Sequence, residues 1–344
     1  MKALSVGTFT GLSNTCLHRH WALKSIVCNI DEINTNSRPC SLWFRIAYHL
    51  FLYGLPIRLP ENNKENKEII DCINKNNYDI VWIDKGITIF PETLRAIRKT
   101  SPQTKIISYS PDNMTLRHNQ SQQYIECVPL YDYIITNKSY IINEIYQLGA
   151  RKVIFVNNTY QKNFHYPRIL TEQDYIDYGA EVGFVGTWEK ERCESILYLA
   201  EHGVKVRVFG SGKWDKYKNY SPNLIIEGRS LTGEDFCKSL QATKINLCFL
   251  RKMNFDQQTT RTVEIPACGG FMLAERTKEH LDMFEENKEA AYFSNNQELL
   301  NKCLYFQKHE DERFNIARAG LRRCKESDYS NEGMIRKVLK QIYE

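Results

Sequence analysis

The chain has 344 residues, of which 42% are apolar and 25% are charged, and its formal net charge at pH 7 is +5. This length is too great for one hydrophobic core and suits two α/β domains. The positive charge forms no basic run or stripe, which excludes a dedicated nucleic-acid-binding protein.

The cysteines indicate the compartment. The eleven of them include no C-x-x-C pair, and several, such as Cys248, lie in apolar runs where a free thiol behaves as a small hydrophobic group. This usage predicts a reducing compartment. Residues 1–7 lead directly into a strand-like run without the features of a signal peptide, so we expect a cytoplasmic protein.

The first half of the chain alternates strand and helix patterns. A turn and a helix around residues 19–24 follow the first strand, and a helix with Pro91 in its first turn follows the strand that ends in Asp84. A later helix ends at Gly149, which is a natural C′ residue. The predicted strands are 3–7, 79–84, 105–109, 133–136 and 153–156.

The segment 42–59 is the most apolar of the chain. Arg45, His49, Gly54 and Pro56 interrupt it, so it does not have the character of a transmembrane helix. Two interpretations stay open: a helix packed on the core, or a helix that contacts a membrane surface or an acceptor.

At residues 157–178 the alternation of strand and helix patterns is interrupted by polar and aromatic residues with Pro167. The alternation restarts after residue 178. Helices are predicted at 189–202, at 259–268 and, at the end of the chain, at 331–343. The predicted strands are 181–186, 204–208, 224–226, 245–250, 271–274 and 290–293.

This alternation predicts the α/β class, with two Rossmann-like, doubly wound domains that face a cleft. We expect an N-terminal domain over residues 1–160, a linker over 161–178 and a C-terminal domain over 179–330. The final helix, 331–344, is expected to pack back on the first domain. Ligands of such sheets bind outside the carboxyl ends of the strands.

Three loops at predicted strand ends carry candidate binding residues. The three loops are residues 183–188, 210–214 and 256–264. The first loop turns into a helix whose amides can bind an anion, and Arg192, one turn later, can bond to a diphosphate. The glycines of the second let the backbone approach a ligand closely. The third places Asp256 and Glu264 eight residues apart, and a carboxylate there can accept the hydrogens of a ribose diol. The donor-binding candidates are Gly186, Thr187, Trp188, Gly210, Ser211, Gly212, Lys213, Trp214, Arg251, Thr260, Arg261 and Glu264.

Each loop also has an ordinary explanation. Gly-x-x-Gly and Gly-x-Gly after strands are common in plain turns and are neither G-x-G-x-x-G nor a P-loop. Glu264 could be a solvated helix residue, and Arg261 could pair with a neighbouring acid. The convergence of three loops at one sheet edge favours a binding site.

The same residues carry a family resemblance. Residues 186–188 with Arg192, residues 210–214 and residues 261–270 resemble the C-terminal half of the CgeB-like glycosyltransferases, which are similar to the retaining family 4 branch with the GT-B fold. The resemblance covers about residues 180–330, and the first half of the chain matches more loosely. It implies a nucleotide-sugar donor site in the second domain and an acceptor site in the first.

Some roles carry over residue by residue. Glu264 matches the second acid of the family's Glu–seven residues–Glu motif, which holds the donor ribose. Asp256 occupies the position of the first acid, and its side chain is one methylene shorter than that of glutamate. Thr187 replaces the arginine that commonly binds phosphate, which shifts that role to Arg192, with Lys190 or Arg251 in reserve. The resemblance thus implies catalytic roles for Asp256 and Arg192.

Polar residues after strands of the first domain are candidates for the acceptor side. Asp84 or Asp112 could orient or deprotonate an acceptor hydroxyl, although Pro-Asp-Asn is also favourable turn chemistry. We count Asp112 among the catalytic candidates and assign Thr8, Gly11, Asp84 and Asn113 to the acceptor side.

The combined prediction is a glycosyltransferase that moves a sugar from a nucleoside diphosphate to a glycan, lipid-linked or other hydroxyl acceptor, with retention. No cofactor is expected. No metal is expected either, because Cys16, His18 and His20 do not share a helix face. The alternatives are a nucleotide-sugar epimerase of the same fold and a non-catalytic nucleotide- or glycan-binding protein. The weak positive charge and segment 42–59 leave room for peripheral membrane contact.

Overall fold

A computed structural model describes residues 1–35 and 41–344. The chain forms two compact units, unit 1 with residues 1–157 and 334–344, and unit 2 with residues 158–333. Each unit contains one six-stranded sheet in which all neighbouring strands are parallel. The predicted α/β class with two Rossmann-like sheets is therefore confirmed.

Unit 1 has the strand order β2-β1-β3-β4-β5-β6. Its central strands are almost completely buried, as expected when helices cover both faces of a parallel sheet. The strands are β1 (Lys2–Gly7), β2 (Asn29–Asn34), β3 (Ile80–Asp84), β4 (Lys105–Ser110), β5 (Tyr133–Thr136) and β6 (Val153–Phe155). The helices are α1 (Thr15–Ile26), α2 (Leu42–Leu52), α3 (Glu65–Lys75), α4 (Pro91–Thr100), α5 (Gln122–Cys127) and α6 (Ile142–Gln147).

Unit 2 has the strand order β12-β11-β10-β7-β8-β9. Its strands are β7 (Ala180–Val185), β8 (Val206–Phe209), β9 (Leu224–Ile226), β10 (Thr243–Cys248), β11 (Met272–Glu275) and β12 (Ala291–Phe293). Its helices are α7 (Glu172–Tyr178), α8 (Lys190–Glu201), α9 (Gly233–Ala242), α10 (Arg261–Ala267), α11 (Lys278–Met283), α12 (Asn296–Lys308) and α13 (Glu310–Glu326).

The last helix, α14 (Asn331–Tyr343), begins in unit 2 and continues in unit 1. Its apolar residues recur at helical spacing and are buried in a core cluster of unit 1 that also contains residues of β1, β3, β4, β5 and α1. They are Met334, Ile335, Val338, Leu339 and Ile342.

The order of strands in unit 2 creates a switch point. The chain runs outward from β7 through β8 to β9, and then returns to place β10 on the other side of β7. The connections on the two sides of this point diverge, which leaves a crevice at the carboxyl ends of β7 and β10. In unit 1 the corresponding point lies between β1 and β3.

The predicted linker at 161–178 is part of unit 2 in the structure. Phe164 and Tyr178 are buried in the unit's core, and the backbone of Arg168 exchanges two 2.7 Å hydrogen bonds with the Gln241 side chain. The aromatic residues that interrupt the alternation are therefore anchors of the unit and not a free connection.

The ten cysteines within the described residues form no disulfide. Most are buried, and burial raises the pKa of the Cys248 thiol to about 12, which keeps it protonated and unreactive. Cys40 lies outside the described residues.

Candidate functional site

Two of the three predicted loops are joined at the carboxyl edge of the unit 2 sheet. Gly186 follows β7 and donates its N–H to the carbonyl of Phe209 over 2.9 Å, and the Trp188 N–H donates to the Ser211 carbonyl over 2.9 Å. The hydroxyl oxygens of Thr187 and Ser211 are 3.4 Å apart. These loops thus form one continuous surface.

The glycines of the second loop have a structural role in addition to the predicted approach to a ligand, which stays a prediction. A Cβ atom at Gly210 would overlap the carbonyl oxygen of Gly186, and one at Gly212 (φ +91°) would lie 3.1 Å from the Cβ of Trp188. The absence of side chains lets the two loops approach each other. The close contact that requires glycine is therefore with the neighbouring loop.

Gly210→Ala is expected to lower the free energy of unfolding by about 3 kcal/mol, because an added methyl group must separate backbone that is in contact. Gly203→Ala is the matched control. Gly203 has φ +84° and open space around a Cβ, so its replacement costs only the left-handed strain of about 1–2 kcal/mol. Urea unfolding followed by circular dichroism measures both. Equal losses for the two variants would show that the loops can separate freely.

The Trp214 side chain does not line the surface of these loops, and a donor-binding role for its backbone stays a prediction. Its side chain is only 1% exposed and packs in the core with Phe184, while its Nε1 donates to the Gly186 carbonyl over 3.0 Å. The aromatic group that remains at the surface of the loops is Trp188, whose ring lies 4.9 Å from the Nζ of Lys213.

Arg192 holds the first loop to the third. Its Nη1 donates to the Thr187 carbonyl over 3.2 Å, and its Nη2 donates to the Glu189 carboxylate (3.2 Å) and the Leu250 carbonyl (3.3 Å). Burial lowers the pKa of this guanidinium, Glu189 opposes the effect, and Arg251 adds to it. The side chain is only 10% exposed, so in this structure it links the two loops, and its predicted contact with a diphosphate stays a prediction.

In the structure the third loop begins at residue 249, directly after β10. Its more exposed cations are Arg251 and Lys252. Arg251 Nε contacts Glu189 over 2.8 Å, and Lys252 Nζ contacts Glu275. Both side chains are about half exposed, and each acid is shared with another group, Arg192 and the Leu250 N–H respectively. The pairs leave positive charge at the surface of the crevice. Lys190, the other alternative candidate for binding phosphate, pairs with Glu194 on the exposed side of α8.

Glu264 lies one turn into α10 and is almost completely buried. Its Oε2 accepts a hydrogen bond from Arg261 Nη1. Arg261 also donates from Nε to the Val185 carbonyl over 3.3 Å, and its guanidinium lies 4.3 Å from the centre of the Phe236 ring. The solvated-helix interpretation of Glu264 is therefore wrong, and Arg261 connects the acid to the carbonyl that ends β7.

His165 approaches Glu264 from another side. Its Nδ1 accepts the N–H of Gln161 over 3.1 Å, so in the neutral imidazole the proton is on Nε2. That nitrogen faces Glu264 Oε1 at 3.5 Å. Both carboxylate oxygens thus have a neighbour that favours negative charge, and a carboxylate oxygen has two lone pairs with which to accept donors.

Asp256 lies in the loop before α10, as its spacing from Glu264 predicts. Its N–H donates to the Arg251 carbonyl over 3.2 Å, which closes a turn at Phe255 in the left-handed region. Thr260 is the N-terminal cap residue of α10 and accepts the Glu264 N–H through its carbonyl over 3.0 Å.

A fourth loop, after β11, supports the third and is missed by the sequence analysis. Thr277 Oγ1 donates to the Gln257 carbonyl over 2.6 Å, and Glu275 accepts the Leu250 N–H over 2.7 Å. Burial lowers the pKa of His280, so the ring is neutral, donates from Nδ1 to the Glu275 carbonyl and accepts the Thr262 hydroxyl at Nε2. The polar run directly after an apolar strand is the signal that could have indicated this loop.

Asp84 is not available on the acceptor side of unit 1. Its two oxygens accept bonds from Arg19 Nε (2.6 Å) and Nη2 (2.9 Å), and both side chains are 4% exposed. The Arg19 guanidinium also stacks over Tyr109, with 4.2 Å to the ring centre. The acid that ends β3 is therefore half of a buried ion pair, which corrects its predicted role.

Asn113 is a turn residue. Its Oδ1 accepts both the N–H (3.0 Å) and the hydroxyl (2.7 Å) of Thr115, and its side chain is buried. The turn interpretation of Pro-Asp-Asn therefore holds for this asparagine, and its assignment to the acceptor side is corrected.

Asp112, Thr8 and Gly11 lie in loops at the carboxyl edge of the unit 1 sheet. Asp112 Oδ2 is 2.6 Å from Lys85 Nζ. Burial lowers the pKa of Lys85, but Asp112, together with Tyr48 and Asp84, raises it above its ordinary value. Thr8 shares a 3.3 Å hydroxyl contact with Thr35, and Gly11 is an exposed turn residue with φ +85°. These three keep their predicted assignment as hypotheses.

Within residues 1–35 and 41–344, no cluster of three or more His, Cys, Asp and Glu side chains could hold a metal ion. His18 Nε2 contacts the Leu12 carbonyl, whereas His20 contacts Ser5 and Glu32. The expectation of a metal-independent protein stays a prediction.

A comparison with models of protein families gives a match in the second half of the chain. Residues 192–340 match the family described as glycosyl transferase-like. A comparison of the sequence with curated proteins found no match.

Solved structures resemble the whole chain. HepE of Anabaena, determined with UDP and glucose, is 11% identical, with 99% of each chain covered and a TM-score of 0.61. A glycosyltransferase of Rickettsia africae is 13% identical, with 98% of this chain and 97% of that chain covered and a TM-score of 0.60. Sucrose-phosphate synthase of Thermosynechococcus elongatus is 8% identical, with 100% and 99% covered and a TM-score of 0.65. The chain therefore has the GT-B fold of these structures, and its residues 192–340 match a glycosyl transferase-like family.

Proposed function

We propose that this protein is a glycosyltransferase that moves a sugar from a nucleoside diphosphate to a hydroxyl of a glycan or lipid-linked acceptor. One observation carries the proposal. The buried carboxylate of Glu264 is bonded to Arg261, which bonds to the carbonyl at the end of β7, the strand beside the switch point, and it lies within the residues that match the glycosyl transferase-like family. Ligands of such sheets bind at this point.

In this proposal, Glu264 accepts the hydroxyl hydrogens of the donor ribose. Arg261 and His165 Nε2–H orient the carboxylate, whose oxygens can each accept more than one donor. The diphosphate lies toward the loop before α8, a helix of 12 residues that begins at Lys190, because helix N-termini favour anions. Arg251 and Lys213 supply exposed positive charge, and Arg192 holds the loops in position.

The chemistry requires little more than charge stabilisation. The bond between the anomeric carbon and the β-phosphate oxygen breaks, and the acceptor oxygen bonds to the same carbon. The acceptor proton passes to the departing diphosphate. Loop amides and cations offset the negative charge that develops on the leaving group. We propose retention by attack on the same face, without a nucleophile from the protein, a metal or a cofactor, and we place Asp256 and Asp112 among the groups that orient the reacting sugars.

A UDP-sugar is the donor class that we propose first. HepE of Anabaena has been determined with UDP-glucose, and it shares the fold of this chain over almost its full length.

A panel of UDP, ADP, GDP and UDP-sugars in a thermal-shift assay tests the donor. We expect UDP and one UDP-sugar to raise the melting temperature, since a ligand that binds the native state stabilises it. Release of UDP that depends on an added glycan or lipid-linked acceptor, and that persists in EDTA, supports transfer without a metal. Isomerisation of the donor without an acceptor would indicate an epimerase, and binding without turnover would indicate a binding protein. The anomeric configuration of the product, read by NMR, tests retention.

A further inference from the structure

The outer side of α2 in unit 1 is apolar and exposed. We define the outer apolar face as six residues whose exposed fractions range from 44% to 75%. They are Leu42, Trp43, Ile46, Leu52, Tyr53 and Leu55. Contiguous apolar surface of this kind marks an interaction site more often than chance.

The opposite side of α2 is apolar as well. Phe44, Ala47 and Phe51 are buried and form a small cluster with Leu59. At 100° per residue these three positions fall on one side of the helix, and Leu42, Ile46 and Tyr53 fall on the other. The outer side therefore exposes large apolar side chains beside Arg45 and His49, and within the described residues these apolar side chains stay open to solvent.

The charged residues within the segment 41–60 have one sign. Residues 41–60 contain no Asp or Glu. Arg45 and His49 are exposed on α2, and exposed Arg117 packs beside the end of the helix, where a Cβ at Gly54 would lie 3.2 Å from the Cβ of Arg117. Arg58 is paired with Glu92. The surroundings of the outer apolar face therefore favour a negatively charged partner.

We propose that the outer apolar face docks on an anionic lipid surface. Large apolar side chains, amphipathic Trp43 and Tyr53, and flanking arginines are the composition of helices that lie in the plane of a membrane interface. Arginines near such a surface are attracted by anionic headgroups. With 11 residues, α2 is too short to span a bilayer, and within the described part of the chain no helix combines the length and apolar character of a membrane span. This inference does not depend on the proposed transferase activity.

Flotation of the full chain with vesicles tests the proposal. Vesicles of phosphatidylcholine with about 30 mol% phosphatidylglycerol, on the order of physiological anionic content, are compared with pure phosphatidylcholine vesicles. We expect the chain to float with the anionic vesicles, to bind the neutral vesicles more weakly, and to be partly released by salt because the headgroup attraction is screened. No flotation with either vesicle would overturn the proposal.

Two pairs of substitutions identify the face. Trp43→Gln with Ile46→Gln should lower the vesicle partition coefficient on the order of ten-fold or more, because two exposed apolar side chains no longer enter the interface. The matched control is Ile169→Gln with Ile176→Gln in unit 2, where the side chains are 97% and 68% exposed, and it should leave the coefficient unchanged. Equal losses for the two pairs would contradict the assignment to α2.

A charge variant keeps the test valid if the apolar variant folds poorly. Arg45→Glu with Arg117→Glu should abolish the preference for anionic vesicles and leave thermal unfolding unchanged. Retained preference would contradict the role of these arginines. A concentration-dependent dimer that is lost in the Trp43/Ile46 variant, together with no vesicle binding, would assign the face to a second copy of the chain and overturn the lipid proposal.

Discussion

Glu264→Gln is expected to weaken the binding of a nucleoside diphosphate on the order of 10- to 100-fold. A bond from a hydroxyl to a charged acceptor contributes about 1.5–3 kcal/mol, and the amide keeps the shape of the side chain while it removes the charge. Arg261 retains the Val185 carbonyl and the Phe236 ring as neighbours. The loss should therefore appear in the nucleotide dissociation constant measured by calorimetry.

The matched control is Glu181→Gln. Glu181 begins the same strand that leads to the site, but its partner Lys244, at 2.7 Å, lies at the amino end of β10. This variant should bind the nucleotide as the wild type does. The assignment of Glu264 to the ribose fails if a folded Glu264→Gln protein, checked by circular dichroism at the same temperature, has unchanged affinity.

The strands of unit 2 could be predicted from the sequence because they are short apolar runs bounded by turns. All six predicted runs, from 181–186 to 290–293, correspond to β7 to β12. In unit 1 the sequence pattern does not predict β2, an edge strand whose residues Asn29, Asp31 and Glu32 are polar and partly exposed. Its only fully buried residue is Ile33, so it has neither an apolar run nor a clear alternation.

The location of the candidate loops could be predicted, but the use of their side chains could not. Strand–helix alternation places residues 186–188, 210–214 and 256–264 at one sheet edge. Whether Arg192 meets a ligand or the Leu250 carbonyl depends on a contact 58 residues away. The same holds for Asp84, whose partner Arg19 is 65 residues distant.

The supporting loop after β11 shows a second limit. Its residues act through other parts of the site, as Thr277 does through the Gln257 carbonyl. They carry no motif, because a hydroxyl or an imidazole that holds backbone in place can occur at any turn. The distance of 2.8 Å between His280 Nε2 and Thr262 Oγ1 arises only in the folded chain.

The buried ion pair of unit 1 leads to the largest expected change in stability. Arg19→Met should lower the free energy of unfolding by about 3–5 kcal/mol, because it leaves the Asp84 carboxylate buried without its partner. Asp84→Leu should cost a similar amount for the same reason. The double variant should cost much less than the sum, since two apolar side chains then replace both charges and the introduced thioether can pack on the Tyr109 ring. Urea unfolding of the four proteins gives the coupling energy of the pair.

An exposed pair on the same protein provides the control for this cycle. Lys278 Nζ lies 2.6 Å from Asp282, but the two side chains are 86% and 60% exposed. Exposed pairs contribute about 0.3–0.5 kcal/mol at this helical spacing, so Lys278→Met should hardly change the unfolding midpoint. The two ion pairs have the same shortest separation, and the difference in cost therefore measures burial and not distance. A loss for Arg19→Met as small as that for Lys278→Met would mean that water reaches Asp84, and the acid would then again be a candidate for the acceptor side.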